Sequence, residues 1–147
     1  MGRKLRKYIW TIIYIAFIIF IFSNSMQVAT ESARRSEGVL HYLQEFVGKE
    51  WLTDHIVRKA AHFSEFAVLG MLGVRCMQDY TKHYIMPALF SGLLTALTDE
   101  TIQLFVEGRS GQVSDVWLDF GGCCFGVVVV MIVISIVVEK KFSIDYK

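Results

Sequence analysis

The chain has 147 residues, enough for one domain, and its composition departs from that of a soluble protein. Hydrophobic residues make up 54% and charged residues 20%, against roughly 45–50% and 25% in soluble domains. This composition excludes a disordered tail, and three cysteines are too few for a disulfide-linked secreted module. A net charge of +1 provides no basic surface for DNA or RNA, so no nucleic-acid partner is expected.

Four segments are long enough to cross a bilayer, whose ~30 Å hydrocarbon core takes about 20 mostly apolar residues. The first, 8–25, carries no charge, and the last, 116–138, is apolar from Phe120 onward. The second and third, 55–77 and 84–106, reach this length only if their ionisable residues lie inside the membrane. The sequence therefore predicts an all-α, multi-pass cell-membrane protein with four transmembrane helices in a single domain.

Two interpretations fit the first segment. A basic stretch, 3–7, precedes it and small residues follow at Ser23 and Ser25, as at a cleaved signal peptide. Its Ile- and aromatic-rich core is about as long as a full span, which favours a retained helix. With the N-terminus inside, nine of the fifteen Lys and Arg residues lie on the cytoplasmic side of the predicted spans, so we expect both termini to be cytoplasmic.

The segment after the first span is too polar to cross the membrane. Within 31–49, apolar residues such as Val39, Leu43 and Phe46 recur at spacings of three and four, which predicts an amphipathic helix in the first extracellular loop. A helix lying on the outer membrane surface or capping the bundle is one interpretation, and a partner-binding helix is the other.

The ionisable residues of the predicted spans lie at a similar depth. At 1.5 Å per residue, Glu65, Asp99 and Asp119 lie roughly 18–28 Å from the ends of their spans that we place inside. An ionised side chain costs at least ~2.5–3.5 kcal/mol at a helix centre, so several at one level are expected to face each other. We therefore expect a polar pocket in the outer half of the membrane, built from the second, third and fourth helices.

Helical spacing supports one shared pocket. Polar residues three or four positions apart pair on helical faces: Lys59 with His62, His62 with Glu65, Asp99 and Glu100 with Gln103, and Asp115 with Asp119. Gly122 and Gly126 continue the last of these faces and suit close contact between helices. The turn 108–111 is expected to hold Arg109 at the mouth of the pocket, and Ser114 is the expected N-cap of the fourth helix.

These residues resemble the VanZ-like membrane proteins. The block Lys59-x-x-His62-Phe63-x-Glu65-Phe66-x-x-Leu69-Gly70 is similar to the first motif of that family. The blocks Asp99-Glu100-x-x-Gln103-x-Phe105-x-x-Gly108-Arg109 and Asp115-x-x-x-Asp119-x-x-Gly122 resemble the second. The signature region covers about 55–130. Members often carry Asn where this chain has Asp119, and Tyr where it has Phe66.

The resemblance implies a multi-spanning membrane protein. The family's founding member is associated with resistance to the glycopeptide antibiotic teicoplanin, and most relatives have no assigned reaction. The resemblance therefore implies an envelope function linked to antibiotic resistance without naming a substrate.

Candidate roles follow from side-chain chemistry. The expected acid/base residues are His62, Glu65, Asp99 and Glu100. The expected ligand-binding residues are Lys59, Gln103, Arg109, Asp115 and Asp119. The expected ligand is a cell-envelope lipid or a lipid-linked phosphate.

Three function classes remain open: a lipid-linked enzyme, a non-catalytic binder or modulator of a partner, and a small transporter subunit. The cytoplasmic halves of the predicted helices are almost purely apolar, which counts against a transport path. For Arg109, a salt bridge to Asp115 or Glu107 competes with capture of an anion, helped by Lys59 and Arg58. The sequence leaves the oligomeric state open.

No cofactor and no metal are expected. His62, Glu65, Asp99 and Glu100 could supply oxygen and nitrogen ligands. The His-x-x-Glu pattern occurs once, however, so no paired motif indicates a two-metal site.

Overall fold

The protein is a bundle of long helices. The computed structural model describes residues 2–28, 31, 34, 37–41 and 53–145. Its long helices are α1 (Arg3–Ser25), α2 (Asp54–Met77), α3 (Ile85–Gln103) and α4 (Val113–Asp145). Within the described ranges all regular structure is helical, which confirms the all-α prediction.

Two of these helices are long and apolar enough to cross a membrane, over Lys4–Ser25 in α1 and Val113–Val138 in α4. Both leave large apolar side chains uncovered, such as Ile12 at 66% and Val133 at 53% exposure. Extensive exposed apolar surface is unfavourable in water and favourable against lipid. Helices α2 and α3 contain ionisable residues, which lower their mean hydropathy below that of the two spanning candidates.

Successive helices run in opposite directions, so the bundle has two distinct ends. Helix α2 packs most extensively against α4, while α1 packs on α2 and α3. At one end α1 and α3 finish and α2 and α4 begin; we call it the site end. At the other, the turn end, residues 78–84 connect α2 to α3.

Charged and aromatic contacts attach α1 to the turn end. The Arg6 guanidinium lies 2.7 Å from one carboxylate oxygen of Asp79, and that of Arg75 lies 3.2 Å from the other. The hydrogen bond from Arg6 and then that from Arg75 hold the pKa of the Asp79 carboxyl below its usual range. Arg75 also stacks on Trp10 of α1, 4.7 Å from the ring centroid. Asp79 and Arg75 thus fix the start of α1 beside the end of α2.

Glycines let α2 and α4 approach until their backbones touch. A Cβ atom on Gly122 would overlap the carbonyl oxygen of Phe63, and one on Gly126 would overlap that of Ala67. In the opposite direction, a Cβ atom on Gly70 would overlap the Cys123 carbonyl. The close contact predicted for Gly122 and Gly126 is confirmed.

The amphipathic helix predicted over 31–49 lies mostly outside the described residues. Its described positions, 31, 34 and 37–41, are helical.

The prediction that Ser114 caps the fourth helix is wrong. Helix α4 begins at Val113, so Ser114 lies in its first turn. The carbonyl of Gln112 accepts the first helical hydrogen bonds, from the amides of Asp115 at 2.9 Å and Val116 at 3.4 Å. The amide of Gln112 is held in turn by Glu100, and this contact sets where the helix starts.

We predict that Gly126→Ala destabilises the bundle, because the added methyl group meets a backbone carbonyl that cannot rotate away. Overpacking of this kind costs about 1–3 kcal/mol or more. Thermal unfolding of the purified protein in detergent would show a lower midpoint for the variant.

Gly121→Ala is the matched control. It lies on the same helix, and the nearest atom to its added Cβ is 4.0 Å away on the Phe63 ring. An equal loss of stability in both variants would contradict the backbone contact between α2 and α4.

Candidate functional site: a polar cavity at the site end

A cavity of about 150 Å³ opens at the site end of the bundle. Four elements enclose it: the first turns of α2, the end of α3, the loop that leads into α4, and the first turns of α4. Its lining residues are His55, Arg58, Lys59, His62, Glu100, Gln103, Gly108, Arg109, Ser110, Gln112, Asp115, Leu118 and Asp119.

Partly exposed cations form the rim of the cavity. The Lys59 ammonium lies 2.6 Å from a carboxylate oxygen of Asp115, an ion pair that joins α2 to α4. Nε of Arg109 donates to the backbone carbonyl of Gln27, beyond the end of α1, at 3.1 Å. The expected alternative of a salt bridge from Arg109 to Asp115 or Glu107 is absent within the described residues.

The rim places two guanidinium groups near each other. Burial, followed by the charge of nearby Arg58, lowers the pKa of Arg109 from its usual value. An arginine still remains charged under any physiological condition. Two like charges at one opening favour an anion between or beside them.

Buried carboxyl groups form the floor of the cavity, Glu100 and Asp119 on its surface and Asp99 directly beside them. Asp99 is 0% exposed, Asp119 1% and Glu100 6%. One oxygen of Asp99, Oδ2, accepts hydrogen bonds from the Ser25 hydroxyl at 2.7 Å and the Gln103 amide at 3.1 Å. Asp99 thereby ties the end of α1 to α3.

Glu100 points to a different partner, although it follows Asp99 directly. Its Oε1 accepts the backbone N–H of Gln112 at 2.5 Å. The backbone amide of Gln112 therefore donates to a carboxylate of the chain itself. Glu100 thus anchors the loop between α3 and α4.

Several buried polar atoms of the floor have no hydrogen-bond partner within the described residues. They are Nδ1 of His62, Oδ1 of Asp99, Oε2 of Glu100 and Oδ1 of Asp119. One ligand atom each from His62, Asp99 and Asp119 lies within 4.8 Å of the other two. We call these three residues the His–Asp cluster.

The structure brings most of the predicted site residues together. Those on the cavity wall are Lys59, His62, Glu100, Gln103, Arg109, Asp115 and Asp119, and Asp99 lies next to them in the His–Asp cluster. Glu65 is outside the lining, and its Oε1 accepts a hydrogen bond from the Asn24 side chain at 2.9 Å.

The contribution of α1 to the site was not predicted from the sequence. The pocket was expected from three helices, but Asn24, Ser25 and Gln27 bond to Glu65, Asp99 and Arg109. The available signal was a run of polar residues directly after an apolar helix. Among the lining residues, His55 and Gln112 were also missed.

The fold and the site together define a helical membrane protein with ionisable residues buried at one end of its bundle. More specifically, the chain belongs to the VanZ/LLP1 family, whose model matches residues 9–134. The match extends well beyond the two motifs and confirms the VanZ-like resemblance. Neither a curated protein nor a solved structure matches the chain.

We predict that Ser25→Ala weakens the attachment of α1 to the site. The change removes one hydrogen-bond donor from the buried Asp99 carboxylate, which lowers the free energy of unfolding by about 1–3 kcal/mol. The expected result is a lower thermal unfolding midpoint.

Ser23→Ala provides the comparison, because this exposed hydroxyl donates to the Ile19 carbonyl of its own helix, at 2.7 Å. A Ser25 variant as stable as the Ser23 variant would show that the contact with Asp99 contributes nothing.

Proposed function

We propose that this chain is a multi-pass cell-membrane protein whose cavity binds the phosphate group of a cell-envelope lipid. In this proposal all four long helices span the membrane, with both termini cytoplasmic. The cavity then opens into the outer leaflet, where lipid carriers of envelope synthesis present their phosphates after crossing the membrane.

Basic residues at the turn end support this topology. Arg6, Lys7 and Arg75 lie near the turn end, and Lys82 lies in its connecting turn. Basic residues next to the ends of spans favour the cytoplasmic side. Helices α2 and α3 have 24 and 19 residues, close to the length that a span requires.

The observation that carries the proposed ligand is a small cavity with a cationic rim. Its volume of about 150 Å³ is below the roughly 300–1,000 Å³ of sites that enclose a drug-sized molecule. A phosphate group fits such a space, while acyl or isoprenoid chains lie along the exposed apolar surface of the bundle. Arg109 suits this ligand because a guanidinium can bind two phosphate oxygens at once.

Catalysis on that lipid is the second candidate function. His62 and Asp119 line the cavity that would receive the phosphate, and Asp99 lies beside them. An imidazole next to carboxyl groups can move a proton to or from a reacting oxygen. Release of inorganic phosphate from a bound lipid would favour the enzyme, and unchanged lipid would favour the binder or modulator.

A role in glycopeptide resistance is the most specific part of the proposal and rests on the VanZ-like resemblance. Expression of the chain in a Gram-positive host would then lower susceptibility to teicoplanin. Arg109→Gln would remove this effect without removing the protein from the membrane.

We predict that Arg109→Gln weakens binding of a phosphate-bearing lipid about tenfold or more. A hydrogen bond to a charged group contributes about 1.5–3 kcal/mol to the binding free energy. A loss of 1.4 kcal/mol raises the dissociation constant about tenfold. Native mass spectrometry of the full chain, titrated with undecaprenyl phosphate, phosphatidylglycerol or diacylglycerol, would measure this loss and the preference for phosphate.

Lys82→Gln is the matched control, since it removes one exposed positive charge at the opposite end of the bundle. Arg109→Lys tests whether charge alone suffices, and thermal unfolding shows whether each variant is folded. Equal binding of diacylglycerol, or equal losses in Lys82→Gln and Arg109→Gln, would contradict the proposal.

A further inference from the structure

The His–Asp cluster joins three helices at one point. His62 comes from α2, Asp99 from α3 and Asp119 from α4, and their nearest ligand atoms all lie within 4.8 Å of one another. Two of these residues are almost completely buried, and Asp119 also faces the cavity. The cluster therefore has an enclosed side and an open side.

Unpartnered atoms are concentrated at this point. Asp99 has its Oδ2 fixed by two donors, whereas its buried Oδ1 has no partner within the described residues. The buried Oδ1 of Asp119 and Nδ1 of His62 also have no hydrogen-bond partner within the described residues. Leaving a buried acceptor without a partner lowers stability by about 1–3 kcal/mol, and by more if the group is charged. A bound ligand would give all three atoms a partner.

Charge balance points to a cation. No ion pair within the described residues reaches the carboxylate of Asp99 or Asp119. Nearby Lys59 pairs with Asp115 instead. Buried carboxylates need a bound cation or protons in place of an ion-pair partner.

We propose that His62, Asp99 and Asp119 bind one divalent transition-metal ion such as Zn²⁺ or Mn²⁺. One imidazole with two carboxylates suits these ions, whereas Mg²⁺ and Ca²⁺ prefer oxygen ligands alone. Bonds of 2.0–2.2 Å place ligand atoms roughly 3–4 Å apart, which small side-chain rotations reach from the present spacing. The cavity leaves a coordination position open for water or a ligand.

Hydrogen bonds to Asp99 support the assignment. Carboxylates that bind a metal are held by hydrogen bonds to their other oxygen, as Ser25 and Gln103 hold Asp99. No metal was expected from the sequence because the His-x-x-Glu pattern occurs once, whereas Asp119, on the fourth helix, was not weighed as a metal ligand. The metal proposal can be tested separately from the proposed lipid function, because metal binding is measured in the absence of lipid.

The experiment uses the full chain in detergent, stripped with a chelator and then dialysed against Zn²⁺ or Mn²⁺. Elemental analysis is expected to find one tightly bound ion per chain, and the ion is expected to raise the thermal unfolding midpoint. Asp119→Asn and His62→Gln should each weaken binding at least tenfold, because each replaces a carboxylate or imidazole ligand with a neutral amide oxygen that binds these ions weakly.

Glu107→Gln is the control, since it removes an exposed carboxylate near the same end of the bundle. Thermal unfolding without metal identifies any variant that has failed to fold. A folded wild-type chain that binds neither ion would overturn the proposal and indicate that protons neutralise the cluster. Equal losses in Glu107→Gln and Asp119→Asn would overturn it as well, because binding would then depend on surface charge.

Discussion

The structure depends on how the chain accommodates buried carboxyl groups at one end of an apolar bundle. Asp99, Glu100 and Asp119 are almost fully removed from solvent, and a buried charge without compensation is costly. Two of them recruit donors from neighbouring segments, at the end of α1 and in the loop before α4. Glycine contacts between α2 and α4, next to His62 and Asp119, bring these two residues together. The need to compensate buried carboxyl groups thus shapes the packing of the helices, the loop before α4 and the cavity.

Much of the fold could be predicted because hydropathy and helical spacing are local properties. Apolar runs of 18 or more residues located α1 and α4, and the polar residues that interrupt α2 and α3 did not shift their predicted ends by more than about three residues. Spacings of three and four also identified which residues share a face, and most of the predicted site residues meet at the cavity.

The remainder depends on how one helix is rotated against another, which spacing within a single helix does not specify. Glu65 shares a helix with His62 yet bonds to Asn24 of α1, away from the cavity wall. The loop after α3 could not be predicted because Glu100 accepts the Gln112 amide across it, a contact between residues twelve positions apart. The sequence predicted that His62, Asp99 and Asp119 share one pocket, but spacing within single helices could not show how closely their ligand atoms approach.

Phosphate binding in the outer leaflet is tested most directly by measuring on which side of the membrane the cavity opens. Single cysteines replace Ser110, which lines the cavity, or Lys82, in the turn between α2 and α3, after the three native cysteines are removed. Intact cells are then treated with a membrane-impermeant maleimide. If the cavity opens outside, Ser110→Cys alone is labelled in intact cells, and both variants are labelled after cell lysis. Labelling of Lys82→Cys alone in intact cells would place the cavity at the cytoplasmic side and contradict binding in the outer leaflet.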